Sequence, residues 1–135
     1  MSNRRLILTA AIAVSSWFAV SIATAQDYPT KAITLIVPFA PGGSSDFISR
    51  LVGQKLSENL KQPVVVENKP GGAGVIAMQA VARAAPDGYT LILGHIGTLA
   101  VNPAMFDKLA YDPVKEFQPV SLLALVPSVI AAHPD

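Results

Sequence analysis

No cysteine occurs in the chain. That excludes a disulfide framework, a thiolate metal site and a lipid-anchored cysteine. Charge is scarce too: 14% of residues are charged and 51% are hydrophobic, whereas an ordinary globular domain is about a quarter charged. Either much of the surface is therefore expected to meet another domain, or the chain is incomplete. The charge that exists is balanced. Without Arg4 and Arg5, which stand near the N-terminus, eight basic residues face nine acidic ones. Such a chain carries no electrostatic signal for nucleic acid or for an anionic membrane surface. The two histidines, His95 and His133, lack the close spacing of a metal-binding pair, so neither a metal site nor a metal cofactor is expected. The single tryptophan, Trp17, lies in the N-terminal segment and offers no stacking platform. Internal repeats and low-complexity tracts are absent from the sequence.

The first 25 residues form one pattern. Arg4 and Arg5 open it, residues 6–25 carry no charge, and Ala23-Thr24-Ala25 closes it. A positive start, an apolar stretch and a small-x-small site describe a secretory signal peptide. Cleavage is expected after Ala25, leaving Gln26 as the new N-terminus and no membrane insertion afterwards. A single membrane anchor is the alternative, since the uncharged stretch approaches spanning length. Ser15, Ser16, Ser21 and Thr24 weaken it. The arginine pair leaves the general and twin-arginine export routes both open.

Beyond residue 26 the pattern alternates between strand and helix. Ile33-Thr34-Leu35-Ile36-Val37 is a β-branched strand candidate ended by Pro38. Pro41-Gly42-Gly43 signals a tight turn, and Ser44, Ser45 and Asp46 are good helix starters. Phe47, Ile48, Leu51, Val52, Leu56 and Leu60 then recur at helical spacing, predicting a helix with one apolar face. Gly53 lies inside it, which suggests close packing. A second strand follows at Val64-Val65-Val66-Glu67-Asn68, then a glycine loop, a helix over residues 75–85 and a third strand over residues 90–94. A short helix broken at Asn102-Pro103, a polar stretch over 111–117, a fourth strand over 118–125 and a further strand over 128–132 complete the expectation. This order predicts an α/β fold with a parallel sheet and right-handed crossovers. Ligands of such sheets sit beyond the carboxyl ends of the strands, which directs attention to the loops 38–45, 69–75 and 95–98.

The first of these loops is the most informative. Glycines let backbone approach a ligand closely, and a helix start presents free N–H groups with partial positive charge. Together they make a carboxylate or phosphate site without an arginine. A plain strand-to-helix turn with serine caps accounts for the same residues. Asp46 in the first helical turn fits a stabilising role on the helix dipole better than contact with an anion. Gly72-Ala73-Gly74-Val75-Ile76-Ala77 matches a dinucleotide fingerprint, yet the acidic residue expected about 20 residues further on is missing. No Walker lysine follows either glycine loop, and there is no G-x-S-x-G elbow for a serine nucleophile. His95 suits a cleft-lining or local hydrogen-bonding role. Gly97 and Thr98 suit either ligand contact or a helix cap.

In order and at consistent spacing, these motifs resemble the Bug family, the extracytoplasmic receptors of tripartite tricarboxylate transporters. The matching pieces are Tyr28-Pro29-Thr30-Lys31, the stretch 36–46, Val66-Glu67-Asn68-Lys69-Pro70-Gly71, Pro86-Asp87-Gly88-Tyr89-Thr90-Leu91, Asn102-Pro103 and Tyr111-Asp112-Pro113. The resemblance implies a two-lobed periplasmic binding protein that closes over a small organic acid and hands it to membrane permease subunits. It implies no catalytic residue and no cofactor. It carries ligand contact onto Phe39, Ala40, Gly42, Gly43, Ser44, Ser45 and Asp46, and, where the motif matches less closely, onto His95, Gly97 and Thr98. The family's chains are more than twice this length. The expected organisation is therefore a signal peptide over 1–25, a partial first lobe over 26–127, and the start of a crossover towards a second lobe over 128–135. An exported α/β hydrolase, a nucleotide-dependent enzyme and a remnant of a broken gene are the competing readings.

Overall fold

The computed structural model describes residues 28–125. The expected signal peptide and the strand expected over 128–132 lie outside that range. Strand β1 (Ile33–Val37) is followed by helix α1 (Ser44–Leu60), strand β2 (Val64–Asn68) and a 3-10 turn at Gly72–Gly74. Helix α2 (Val75–Ala82), strand β3 (Thr90–Ile92), a π-helical turn at Gly97–Val101 and helix α3 (Asn102–Met105) complete the order.

The strands form one parallel sheet in the order β2-β1-β3. The β1 strand is central, and its β-branched run explains why. Ile33, Leu35, Ile36 and Val37 are all buried, so side chains from both faces of the strand are covered, as a parallel sheet requires. Crossovers through α1 and α2 lead the chain first to one side of β1 and then to the other. Gly53 lets α1 lie close on β2: a Cβ there would meet Val66 Cγ2 at 3.2 Å and Val64 Cγ1 at 3.5 Å. At the N-terminal end of the sheet, the start of the described chain is clipped to the turn before β3. Tyr28 donates to Gly88 O at 2.7 Å, Thr30 N donates to the Tyr89 hydroxyl at 2.9 Å, and Lys31 pairs with Asp87 at 3.2 Å.

Three local expectations change. The apolar periodicity of α1 placed Phe47 and Leu51 inside, yet they are 69% and 52% exposed. The inward face instead centres on Asp46, Ser49 and Gly53, small or hydrogen-bonding residues that admit close contact, with Ile48, Val52, Leu56 and Leu60 half-buried at its flanks. The second helix stops at Ala82, because Ala84 N turns back to Val81 O at 2.9 Å and Pro86 cannot continue it. Residues 118–125 form no strand. Pro119 lacks a donor, and Val120, Leu122 and Leu125 are exposed, so this run has neither a ladder partner nor a covering layer among the described residues. At Asn102-Pro103 the expected interruption takes the form of a change of helix type: the π-helical turn ends at Val101 and α3 starts at Asn102, with the proline in its first turn.

Candidate functional site

The loop from Pro38 to Gly43 leaves the carboxyl end of the central strand. The chain runs from there towards β2, and later crosses β1 to reach β3. Such a reversal opens a crevice at the strand ends. The loop needs glycine at position 42, where φ is 92°. A side chain at Gly42 or Gly43 would meet nothing within 4 Å, so the backbone there is bare. Gly43 caps α1 without a side-chain hydrogen bond. The first helical bond runs from Phe47 N to Gly43 O at 3.0 Å. The N–H groups of Ser44, Ser45 and Asp46 precede it and have no intrahelical acceptor. The serines therefore do not cap the helix as a plain turn would have them do.

Phe39, Gly43, Ser44, Ser45 and His95 line one open cavity of about 240 Å³ at this point. The Phe39 and His95 rings meet edge to face, with centroids 5.0 Å apart. Gly97 N donates to His95 Nδ1 at 3.0 Å. In the neutral ring that leaves the proton on Nε2, which makes the imidazole a donor rather than a base at that atom. The site thus gathers donors: helix N–H groups, two hydroxyls and one imidazole N–H. This set fits a carboxylate.

The other residues singled out in the sequence lie around the cavity rather than on it. Ala40 and Gly42 belong to the loop. Thr98 is fully buried, and its hydroxyl donates to His95 O at 3.0 Å, so it shapes the histidine turn from behind. Gly97 acts through its N–H on the imidazole. Asp46 is 5% exposed. Its carboxylate accepts from Gly42 N at 2.9 Å, Arg50 Nε at 3.1 Å and Asn68 Nδ2 at 3.0 Å. The Arg50 guanidinium first, and then the Gly42 N–H, hold its pKa down at about 2. Asn68 and Arg50 were not singled out. The signal for Asn68 was its place at the carboxyl end of the strand beside the loop.

The dinucleotide-like glycines have a packing reason. A Cβ on Gly74 would come within 2.6 Å of Thr98 Cγ2 and 3.3 Å of Pro38 Cβ. Asn102 Nδ2 braces the same corner, donating to Ala73 O at 3.0 Å and to the Tyr111 hydroxyl at 3.3 Å, while that hydroxyl donates to Thr98 O. A larger cavity, about 680 Å³, lies among residues 103–116. Asp107, Asp112 and Glu116 line it, which disfavours an anionic ligand. Among the described residues no group of three or more histidine and carboxylate side chains could hold a metal ion, and no helix is long and apolar enough to cross a membrane.

Residues 48–135 match the profile of the family described as "Tripartite tricarboxylate transporter family receptor". The chain belongs to this family. As a receptor-family chain it is 37% identical to protein BugT of Bordetella pertussis over 135 residues, 99% of this chain and 41% of that protein. Among solved structures it resembles MatC from Rhodopseudomonas palustris with bound malate, at 48% identity and a TM-score of 0.69, covering 71% of this chain and 33% of the other. It also resembles the periplasmic binding protein BugD, at 39% identity and a TM-score of 0.65, covering 68% and 30%. The chain spans between 31% and 41% of the length of the curated relatives it matches. Its α/β parallel sheet is thus part of a periplasmic binding-protein fold, and its family is one of solute-binding receptors.

Proposed function

We propose that this chain supplies the first-lobe half of a periplasmic receptor that captures a small carboxylate-bearing metabolite for a tripartite tricarboxylate transporter. It acts by binding, without catalysis or cofactor, and passes its ligand to membrane permease subunits. Residues 1–25 act as the export signal, cleaved near Ala25. Residues 26–127 contribute to the first lobe, and residues 128–135 begin the crossover towards a second. The observation that carries this reading is the donor-lined cavity at the sheet's reversal point, formed by Gly43, Ser44, Ser45 and His95 with Phe39 as its apolar wall. The malate bound to MatC, a relative of 48% identity, supports a carboxylate as the ligand class. Ala40 and Gly42 shape the loop backbone. Asp46, Gly97 and Thr98 support it from the second rank.

Calorimetric titration of the full 135-residue chain with malate and with other C4 to C6 dicarboxylates tests the reading. Binding is expected, with amide chemical shifts moving at Ser44 and Ser45. Ser44→Pro removes one cradle N–H at a helix position where proline is well tolerated. It is expected to weaken binding by about tenfold or more, the worth of one charge-assisted hydrogen bond. Absence of binding to every member of the panel would sink the reading.

A further inference from the structure

We infer that Asp46, Arg50 and Asn68 form a neutral clasp that positions the carboxylate cradle without themselves contacting the ligand. This rests on the proposed receptor function and says which residues make that site competent.

A carboxylate offers about four lone-pair positions, and three donors hydrogen-bond to Asp46. Gly42 N and Arg50 Nε meet Oδ2 at 2.9 and 3.1 Å, and Asn68 Nδ2 meets Oδ1 at 3.0 Å. Arg50 Nη2 stands 3.0 Å from Oδ1 as an ion-pair contact. Asn68 is equally committed. Its amide nitrogen also donates to Phe39 O at 3.1 Å, and its oxygen accepts from Arg50 Nη2 at 3.0 Å. The opposite amide orientation would set two donors against each other, so the network fixes this one. Three side chains from α1 and the end of β2 thereby hold the loop at two backbone points, the Phe39 carbonyl and the Gly42 N–H. Those points lie just before Gly43, Ser44 and Ser45, which line the cavity together with Phe39 itself. Preorganised donors bind an anion without first paying to order the loop.

Charge is the second part of the argument. Asp46 follows Ser45 directly at the helix start, where an unpaired anion would repel an incoming carboxylate. The forked Arg50 contact cancels that charge at close range. The helix therefore keeps a buried acid in its first turn while the cradle remains a site of donors only.

Amide hydrogen exchange and calorimetry on the full chain, with malate as the probe, test this. In Asp46→Asn one carboxylate oxygen becomes an amide nitrogen, so the Gly42 N–H competes with the Arg50 and Asn68 donors for a single neutral acceptor; its exchange is expected to quicken by at least tenfold while the amides of β1 keep their protection. Malate affinity is expected to fall about tenfold. Asn68→Ala, a milder change at an edge strand, should lower affinity several-fold with a melting temperature near that of the parent. Arg50→Met leaves the acid unpaired and should weaken binding most. Adding Asp46→Asn to Arg50→Met removes the repulsion and should recover part of that loss, although the clasp is then fully dismantled; a purely structural role predicts a further loss instead. Unchanged Gly42 exchange in Asp46→Asn, or a double variant weaker than Arg50→Met alone, overturns the proposal. If the parent chain binds no malate, the receptor reading fails on its own terms, and Gly42 exchange still decides whether the clasp holds the loop.

Discussion

Asp46 shows how much a single residue position discloses in sequence and how much it conceals. Its place in the first helical turn already argued for a stabilising role over ligand contact. Its partners were not legible, because Asn68 is 22 residues away and reaches it only once β2 has paired with β1. The same carboxylate gives a pH prediction. Its pKa is about 2 in the folded chain against an ordinary 3.8. A depressed folded pKa contributes stability that is fully present above the ordinary value and is lost as pH falls through the depressed one. The melting-temperature gap between the parent and Asp46→Asn should therefore be constant above about pH 5 and close progressively between about pH 4 and pH 2. Asp87, Glu58 and Asp112 are also lowered, chiefly by the Tyr89 N–H, the Lys55 ammonium and the Lys115 N–H respectively. Both proteins will thus lose stability in acid, and only the difference reports on Asp46. A gap as wide at pH 2 as at pH 5 would contradict the assignment. His95 illustrates the converse. Its role was open in the sequence, and the Gly97 N–H that selects its tautomer is a tertiary detail no spacing rule encodes.

At the scale of elements, β1 and β2 fall where their β-branched runs and bounding prolines placed them. Short strands with clear punctuation are easy to read. Helix α1 was legible in existence and start but not in orientation. Its apolar residues cover too wide an arc, and the true inward face holds Asp46, Ser49 and Gly53, which hydropathy scores as polar or neutral. Packing against β2 needed the missing side chain of Gly53 more than another apolar one. A substitution separates the two views. Phe47→Ser should change unfolding free energy by less than about 0.5 kcal/mol, as for an ordinary surface position, in urea denaturation followed by circular dichroism. A loss of about 3 kcal/mol or more, the cost of emptying a core phenylalanine site, would restore the orientation expected from periodicity.

For the whole molecule, the alternation of strand and helix was enough to fix a parallel α/β sheet, because handedness and crossover rules leave few other arrangements. What the pattern could not supply was cover for residues 118–125. Their hydropathy reads as a strand, but a strand exists only with a neighbour, and none of the described residues pairs with them. Among the described residues the outer edge of β3 likewise has no partner strand. Val120, Leu122 and Leu125 are between 74% and 83% exposed, and apolar side chains left open so close together in sequence expose apolar surface to solvent. The 135-residue chain is accordingly expected to enhance the fluorescence of a hydrophobic dye, and Leu122→Lys with Leu125→Lys should reduce the signal while leaving the melting temperature within about 2 °C. A signal unchanged by both substitutions would place the apolar surface elsewhere. The clip of Tyr28, Thr30 and Lys31 onto residues 87–89 has a practical consequence. It fastens residues 28–31 at one end of the sheet, and the five residues of β1 then carry the polypeptide roughly 15 Å to the cradle at the other. A protein coupled to a sensor surface through residue 30 would therefore leave the binding loop facing the flowing solution, whereas a dye attached at that residue would stand too far from the cavity to feel a ligand arrive.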